Sequence, residues 1–248
     1  MSITAIPNAG VGMGGVASFT APSFPLSIAG WMYIVSDISS NRRLVSLKDS
    51  GGVHFVDLRV TGGVMIGLSY DNGTVRNSGG RAPTTGAWNH FAAVFNGSGS
   101  TITSIQSYIN GTADTPLTSF SATGPNGAGS VICWGSDPGT STGELLSSDI
   151  ADFFCVWTVA LSGSDITNLQ SYYPNNIQNA SIWNYWNVPN TTDPNVPVIG
   201  SVNIHFPSGA SYSSNEPSLS NPSSGNQIVR LRRGVSGGMQ QLYGGMNA

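Results

Sequence analysis

Hydrophobic and polar positions along this chain alternate in short stretches instead of recurring every three or four residues. Ile28-Ala29-Gly30-Trp31-Met32-Tyr33-Ile34-Val35, Val64-Met65-Ile66-Gly67-Leu68 and Trp88-Asn89-His90-Phe91-Ala92-Ala93-Val94-Phe95 are rich in β-branched and aromatic residues and are bounded by turn formers. Runs of this kind predict the strands of an all-β, two-sheet antiparallel sandwich. Asp71-Asn72-Gly73 and Asn110-Gly111 supply the positive backbone angles of tight hairpins, and Asn96-Gly97 is a third candidate turn. Gly51-Gly52 and Gly62-Gly63 mark further loops. Only one stretch has helical spacing. Ser162 is followed three positions on by Asp165, then by Ile166 and Leu169, which predicts one short, capped helix.

The run at residues 88–95 constrains the packing further. Trp88, His90, Ala92 and Val94 fall on one side of a strand, and Asn89, Phe91, Ala93 and Phe95 on the other. Both sides are largely apolar. Such a strand belongs in the middle of a stack, covered by the second sheet on one side and by loops or a neighbouring protein on the other. Past residue 174 the pattern changes. Ser181-Ile182-Trp183-Asn184-Tyr185-Trp186-Asn187-Val188 reads as an aromatic strand, and residues 198–206 as one more. Residues 208–226 are Ser, Asn and Pro with little to bury, an extended arm. The tail then alternates apolar and basic residues at Ile228, Arg230, Leu231, Arg232 and Arg233, the pattern either of a solvated end, the commoner fate of termini, or of a strand that docks on a partner chain. The expected organisation is an N-terminal segment at 1–15, a sandwich at 16–207 and a C-terminal arm at 208–248.

Charge narrows the function. Only 8% of the 248 residues are charged, against roughly a quarter in ordinary globular proteins, and the formal net charge is -3. Six Trp, eight Tyr and nine Phe with so small a net charge exclude a disordered chain. A single lysine, Lys48, leaves no basic stripe to follow a phosphate backbone, so nucleic acid is not an expected partner. No apolar run approaches the ~20 residues of a membrane span. Residues 1–15 lack a basic and then apolar leader pattern, so neither membrane insertion nor ordinary secretion is expected. Cys133 and Cys155 both fall in expected strands; they could face each other, but with no leader two buried thiols are the expected state.

Taken in order, Gly30-Trp31-Met32-Tyr33, Trp88-Asn89-His90-Phe91-Ala92, Tyr108-Ile109-Asn110-Gly111 and Ile150-Ala151-Asp152 through Trp157, running into Ala160-Leu161-Ser162 and Asp165-Ile166, resemble the laminin G-like, concanavalin A-like jelly-roll family. That family has a W-x-H-x-A strand, a Y-x-N/D-G hairpin and an I-x-D strand that ends at a Trp and enters A-L-S-x-x-E/D-I. The resemblance spans residues 16–173. It departs at Asn89, where a second His is frequent, and at Asp165, where Glu is usual. The family implies a jelly roll with one short helix. It also implies a Ca²⁺ site at the rim, for which Asp49, Asp71 and Asp137 in Gly-rich loops are the candidates, although each is equally a turn former. No other cofactor is expected.

Sugar-cleaving members of this fold need two carboxylates flanking the scissile bond, commonly as E-x-D-x-x-E on one strand. The only glutamates are Glu144 and Glu216, and neither sits in that motif. An enzyme is therefore not expected. Two classes stand. The first is a structural protein of a virus particle, a bacteriophage head-decoration, fibre or tail component that is assembled in the host cytoplasm and joined to copies of itself or to capsid or tail subunits through its C-terminal arm. The second is a carbohydrate-binding module or adhesin acting on surface glycans outside the cell, with Trp134, Trp183, Tyr185 and Trp186 as candidate stacking platforms.

Overall fold

The computed structural model describes residues 2–4, 19–34, 42–128, 130–134, 150–187, 199–201 and 211–213. They form strands β1 (Ser2–Thr4), β2 (Phe24–Ile34), β3 (Arg42–Lys48), β4 (His54–Thr61), β5 (Val64–Asp71), β6 (Thr74–Asn77) and β7 (Ala87–Gly99). Then follow β8 (Thr101–Ile109), β9 (Thr112–Ala113), β10 (Ala122–Thr123), β11 (Val131–Trp134) and β12 (Ile150–Trp157), helix α1 (Gly163–Asn168), β13 (Ile182–Asn187) and β14 (Ser211–Ser213). Two antiparallel sheets result. One runs β10-β8-β7-β2-β12-β1-β14, with β13 also on β12 and β9 on β8; the other runs β11-β3-β4-β5-β6. Neighbours such as β2 and β7, or β2 and β12, are distant in sequence, the crossing connectivity of a jelly roll.

Alternation explains the core. Leu26, Ile28, Met32 and Ile34 of β2 and Phe91, Ala93 and Phe95 of β7 face Val45, Leu47, Val56, Leu58, Val60 and Met65 of the smaller sheet, all nearly or fully buried. The intervening residues Ala29, Trp31, Ala92, Val94, Cys155 and Trp157 form a second apolar layer on the outer face of the larger sheet. The chain covers that face itself, with Leu161, Ile166, Leu169, Tyr173 and Ile177. Of the two covers expected for a strand apolar on both sides, a loop segment and not a neighbouring protein supplies this one. Ser27 Oγ donates to Val159 O at 2.8 Å and accepts from Leu161 N at 2.9 Å, and Trp157 Nε1 donates to Ile177 O at 2.9 Å, pinning the cover to the sheet.

Local signals hold at α1, where Asp165 N donates to Ser162 Oγ at 3.2 Å and Ser162 N donates to Asp165 Oδ2 at 3.0 Å, the capping box read from the sequence. They also hold at the turns Asn72-Gly73 (φ 42° and 92°) and Asn110-Gly111 (φ 48° and 71°). Asn96-Gly97 is different. β7 runs through it with a register shift, and the hairpin closes beyond Gly99. A Cβ at position 97 would lie 1.8 Å from Thr101 O, so this glycine admits a close strand approach at a bulge instead of making a turn.

Two further differences concern the C-terminal part. Ile199 bridges Tyr185 as expected of added β structure, while residues 202–206 lie outside the described residues. Ser211–Ser213, inside the segment read as an extended arm, is an edge strand paired with Ser2–Thr4. Three residues, Ser-Tyr-Ser, within a Ser-, Asn- and Pro-rich stretch are too short to show a hydrophobic pattern, which is why the composition read as an arm. Cys155 is a free, buried thiol of the outer layer on β12, whereas Cys133 belongs to β11 of the other sheet. Burial pushes the Cys155 thiol well above its ordinary range.

Candidate functional site

On the outer face of the larger sheet, β2 and β7 pair Tyr33 with Trp88 and Trp31 with His90. The two-residue alternation brings all four rings to one side. Tyr33 and Trp88 meet edge to face with centroids 5.8 Å apart, and both are only partly covered. Beside them Trp31 and His90 lie 5.3 Å apart, the first 9% exposed and the second fully buried. Trp31 Nε1 and both ring nitrogens of His90 are buried without a hydrogen-bond partner. A buried polar group left unpaired costs about 1–3 kcal/mol, so three at one place mark something other than optimised packing. Desolvation lowers the His90 pKa to about 3, which keeps the imidazole neutral at ordinary pH, offering one donor and one acceptor. Tyr108, partly covered at the margin of the same layer, is raised by burial.

The strand end carrying these rings is held firmly. His90 N donates to Asn110 Oδ1 at 2.8 Å and Asn110 N donates to His90 O at 2.8 Å, so the Asn110-Gly111 turn clamps it. Asn89 Nδ2 donates to Thr84 O at 2.8 Å and Ala87 O at 3.0 Å, and Asn89 Oδ1 accepts from Thr84 N at 2.9 Å. Asn at the position where the resembled family often has His thus serves as a loop brace.

The aromatic residues singled out from the sequence lie elsewhere. Tyr185 is 3% and Trp186 1% exposed, and alternation along β13 sends them to opposite layers, Tyr185 beneath the cover segment and Trp186 between the sheets. Neither is a surface platform. Trp183 is partly buried against the inter-sheet core with Phe19, ring centroids 5.0 Å apart. Trp134 pairs through its backbone with Val45; its side chain lies outside the described residues, as do Asp137, Ile228, Arg230, Leu231, Arg232 and Arg233. Trp31, Tyr33 and Trp88 were legible as strand residues, and their signal was an aromatic spacing of two on one strand; the register that joins them to the second strand is not written locally.

Five aspartates show contacts through their carboxylates, although the buried Asp114 Oδ2 accepts no hydrogen bond. Asp49 Oδ1 accepts from Val53 N at 3.1 Å, closing a turn. Asp71 Oδ1 lies 3.0 Å from His54 Nδ1 while Oδ2 accepts from Thr123 N at 2.9 Å. Asp57, fully buried, sits between Arg43, 3.2 Å away, and Arg59, whose Nε donates to it at 2.9 Å. Asp114 lies 3.6 Å from Arg81, and its pKa is raised by desolvation, with Arg81 acting against the rise. Asp165 caps α1. A rim Ca²⁺ needs several free oxygen acceptors. Asp49 and Asp71 receive backbone amides, no group of three or more His, Cys, Asp or Glu gathers among the described residues, and Asp137 lies outside them.

Comparison with known families matches residues 10–167 to Laminin_G_3 of the concanavalin A-like lectin/glucanases superfamily. The chain belongs to this superfamily. The match and the sheet order together bear out the jelly-roll sandwich and the resemblance read at residues 16–173. Among solved structures, a native heptameric SAP-like pentraxin from Limulus polyphemus is similar at 17% identity and TM-score 0.50, over 68% of this chain and 80% of that one. Mouse laminin α1 chain domains LG4-5 are similar at 8% identity and TM-score 0.48, covering 66% of this chain and 43% of that one. A botulinum neurotoxin type C structure, whose cell entry depends on interaction with two ganglioside molecules, is similar at 14% identity and TM-score 0.42, over 60% and 35% of the two chains. No curated protein matches the sequence. At these identities the likeness shows the fold alone.

Proposed function

We propose that this lectin-like sandwich is a non-enzymatic glycan-recognition domain, carried on a bacteriophage particle as a head-decoration, fibre or tail component. The observation that carries the reading is the partly exposed Tyr33–Trp88 pair beside the unpartnered Trp31 Nε1. A sugar ring has an apolar C–H face that stacks on an aromatic ring, which is the chemistry the partly exposed Tyr33 and Trp88 rings offer. A non-enzymatic role is supported by the sequence, whose two glutamates, Glu144 and Glu216, lie outside the E-x-D-x-x-E motif that a glycosidase of this fold needs. The virion setting is supported by composition: with 8% charged residues, few charges are desolvated when copies pack against one another.

A glycan-array screen of the full chain tests recognition. Selective retention of a set of glycans is expected, and a flat response overturns it. Anchoring through the C-terminal segment is tested by truncation after Ser213, which spares β14; the shortened protein should fold and fail to incorporate into particles. Normal incorporation would remove the arm from the account.

A further inference from the structure

Among the described residues the large hydrophobic side chains left exposed are Val53 at 42% and Val75 at 53%. They share one corner of the smaller sheet, since Asn72 N, in the turn entering β6, donates to Val53 O at 2.8 Å. The register aligns Lys48 with Phe55, Phe55 with Tyr70 and Tyr70 with Val75, one row across the outer face of that sheet. Phe55 and Tyr70 stack with centroids 4.6 Å apart and planes 10° from parallel. This aromatic row runs to the rim of the sheet and ends at Val75.

Among the described residues β6 is the last strand of its sheet, with Thr74, Val75 and Asn77 exposed. In an antiparallel pair the residues that bond the neighbour alternate with residues whose backbone groups point away. Ser78 N donates to Gly67 O at 3.1 Å, so Ser78, Arg76 and Thr74 bond toward β5 and the N–H and C=O of Val75 point out from the sheet. Natural edge strands are commonly guarded by charge or proline on the edge. Here the one charge on β6, Arg76, lies over the Phe120 ring at 5.4 Å.

We propose that β6 is a self-pairing edge, and that two copies of this chain join antiparallel across a twofold axis at Val75. Matching outer face to outer face leaves two close registers. One centres on Arg76 and sets like charges directly opposite, which is unfavourable. The other centres on Val75, sets Thr74 opposite Arg76 of the second copy, and lets the two Val75 residues exchange their outward N–H and C=O groups. The aromatic row then continues through the paired valines into Tyr70 and Phe55 of the second copy. The contact is isologous, so it closes at two copies. A strand of four residues buries less than the ~1,000 Å² of a permanent interface, so the dimer forms with rising concentration.

Sedimentation equilibrium of the full chain from micromolar to millimolar concentration tests this. The wild type is expected to double in mass, and Val75→Lys, an exposed substitution that leaves the bonds to β5 intact, is expected to stay a monomer with an unchanged melting curve. Val75→Cys is expected to form an interchain disulfide under mild oxidation, because paired residues at such a position lie about 5.5 Å apart at Cα. A wild type that stays monomeric throughout, a Val75→Lys variant that dimerises as well as the wild type, or a dimer in which Val75→Cys does not cross-link would each overturn the proposal.

Discussion

The two faces of the larger sheet are built from the same strands and differ in kind. Toward the smaller sheet, β2 and β7 present Leu26, Ile28, Met32, Phe91 and Phe95, large side chains that interlock with those of the facing strands. Toward the cover segment the same strands present Ala29 and Ala92, with Cys155 beside them, small enough for the cover to lie close, and then Trp31 and His90 with ring nitrogens that nothing satisfies. One layer maximises burial. The other holds polar groups at a cost, and does so where Tyr33 and Trp88 reach solvent. Adjacent residues of β7, His90 and Phe91, belong to different layers and let the two be compared directly.

The largest expected effect is on the polar layer under acid. Above pH 6.5 the His90 imidazole is neutral in the folded and unfolded chain alike. Between 6.5 and its folded pKa of about 3 the unfolded chain binds a proton that the folded one refuses, so stability falls as pH is lowered through that window. At about 1.4 kcal/mol per pH unit the loss reaches roughly 5 kcal/mol. Denaturant unfolding followed from pH 7 to 3 should show this fall in the wild type and a flatter profile in His90→Met; equal profiles would mean that His90 does not titrate as a buried base. In the apolar layer, Phe91→Ala should cost about 3–5 kcal/mol with no such pH dependence, read from the shift in denaturation midpoint. Ser162→Ala should cost about 1 kcal/mol by removing the cap of the short cover helix, a change small enough that the inter-sheet core stays intact by near-ultraviolet dichroism.

How much of this was legible follows from what is local. The strands, the turns at Asn72-Gly73 and Asn110-Gly111 and the capping box at Ser162 and Asp165 each rest on neighbours in sequence, and each formed. Asn96-Gly97 carries the same dipeptide as a turn yet lies in a bulge, because only the approach of β8 distinguishes the two. The aromatic alternation at residues 182–187 looks alike whether a strand is exposed or buried, and β13 is covered on both sides, so Tyr185 and Trp186 went to the interior. The pairing of Tyr33 with Trp88 depends on a register between strands separated by the whole smaller-sheet meander, which no local pattern encodes. Ser211–Ser213 pairs with Ser2–Thr4 at long range, and three residues within a Ser-rich segment are too few to mark a hydrophobic pattern.

The contrast between the layers comes down to whether the polar, aromatic end of the outer face binds a ligand. Isothermal titration of the strongest array glycan into the wild type and Trp88→Ala measures this most directly. The account predicts that removing the indole weakens binding by about tenfold or more, ~1.4 kcal/mol. Equal affinity in the two proteins, with the variant folded, would contradict it.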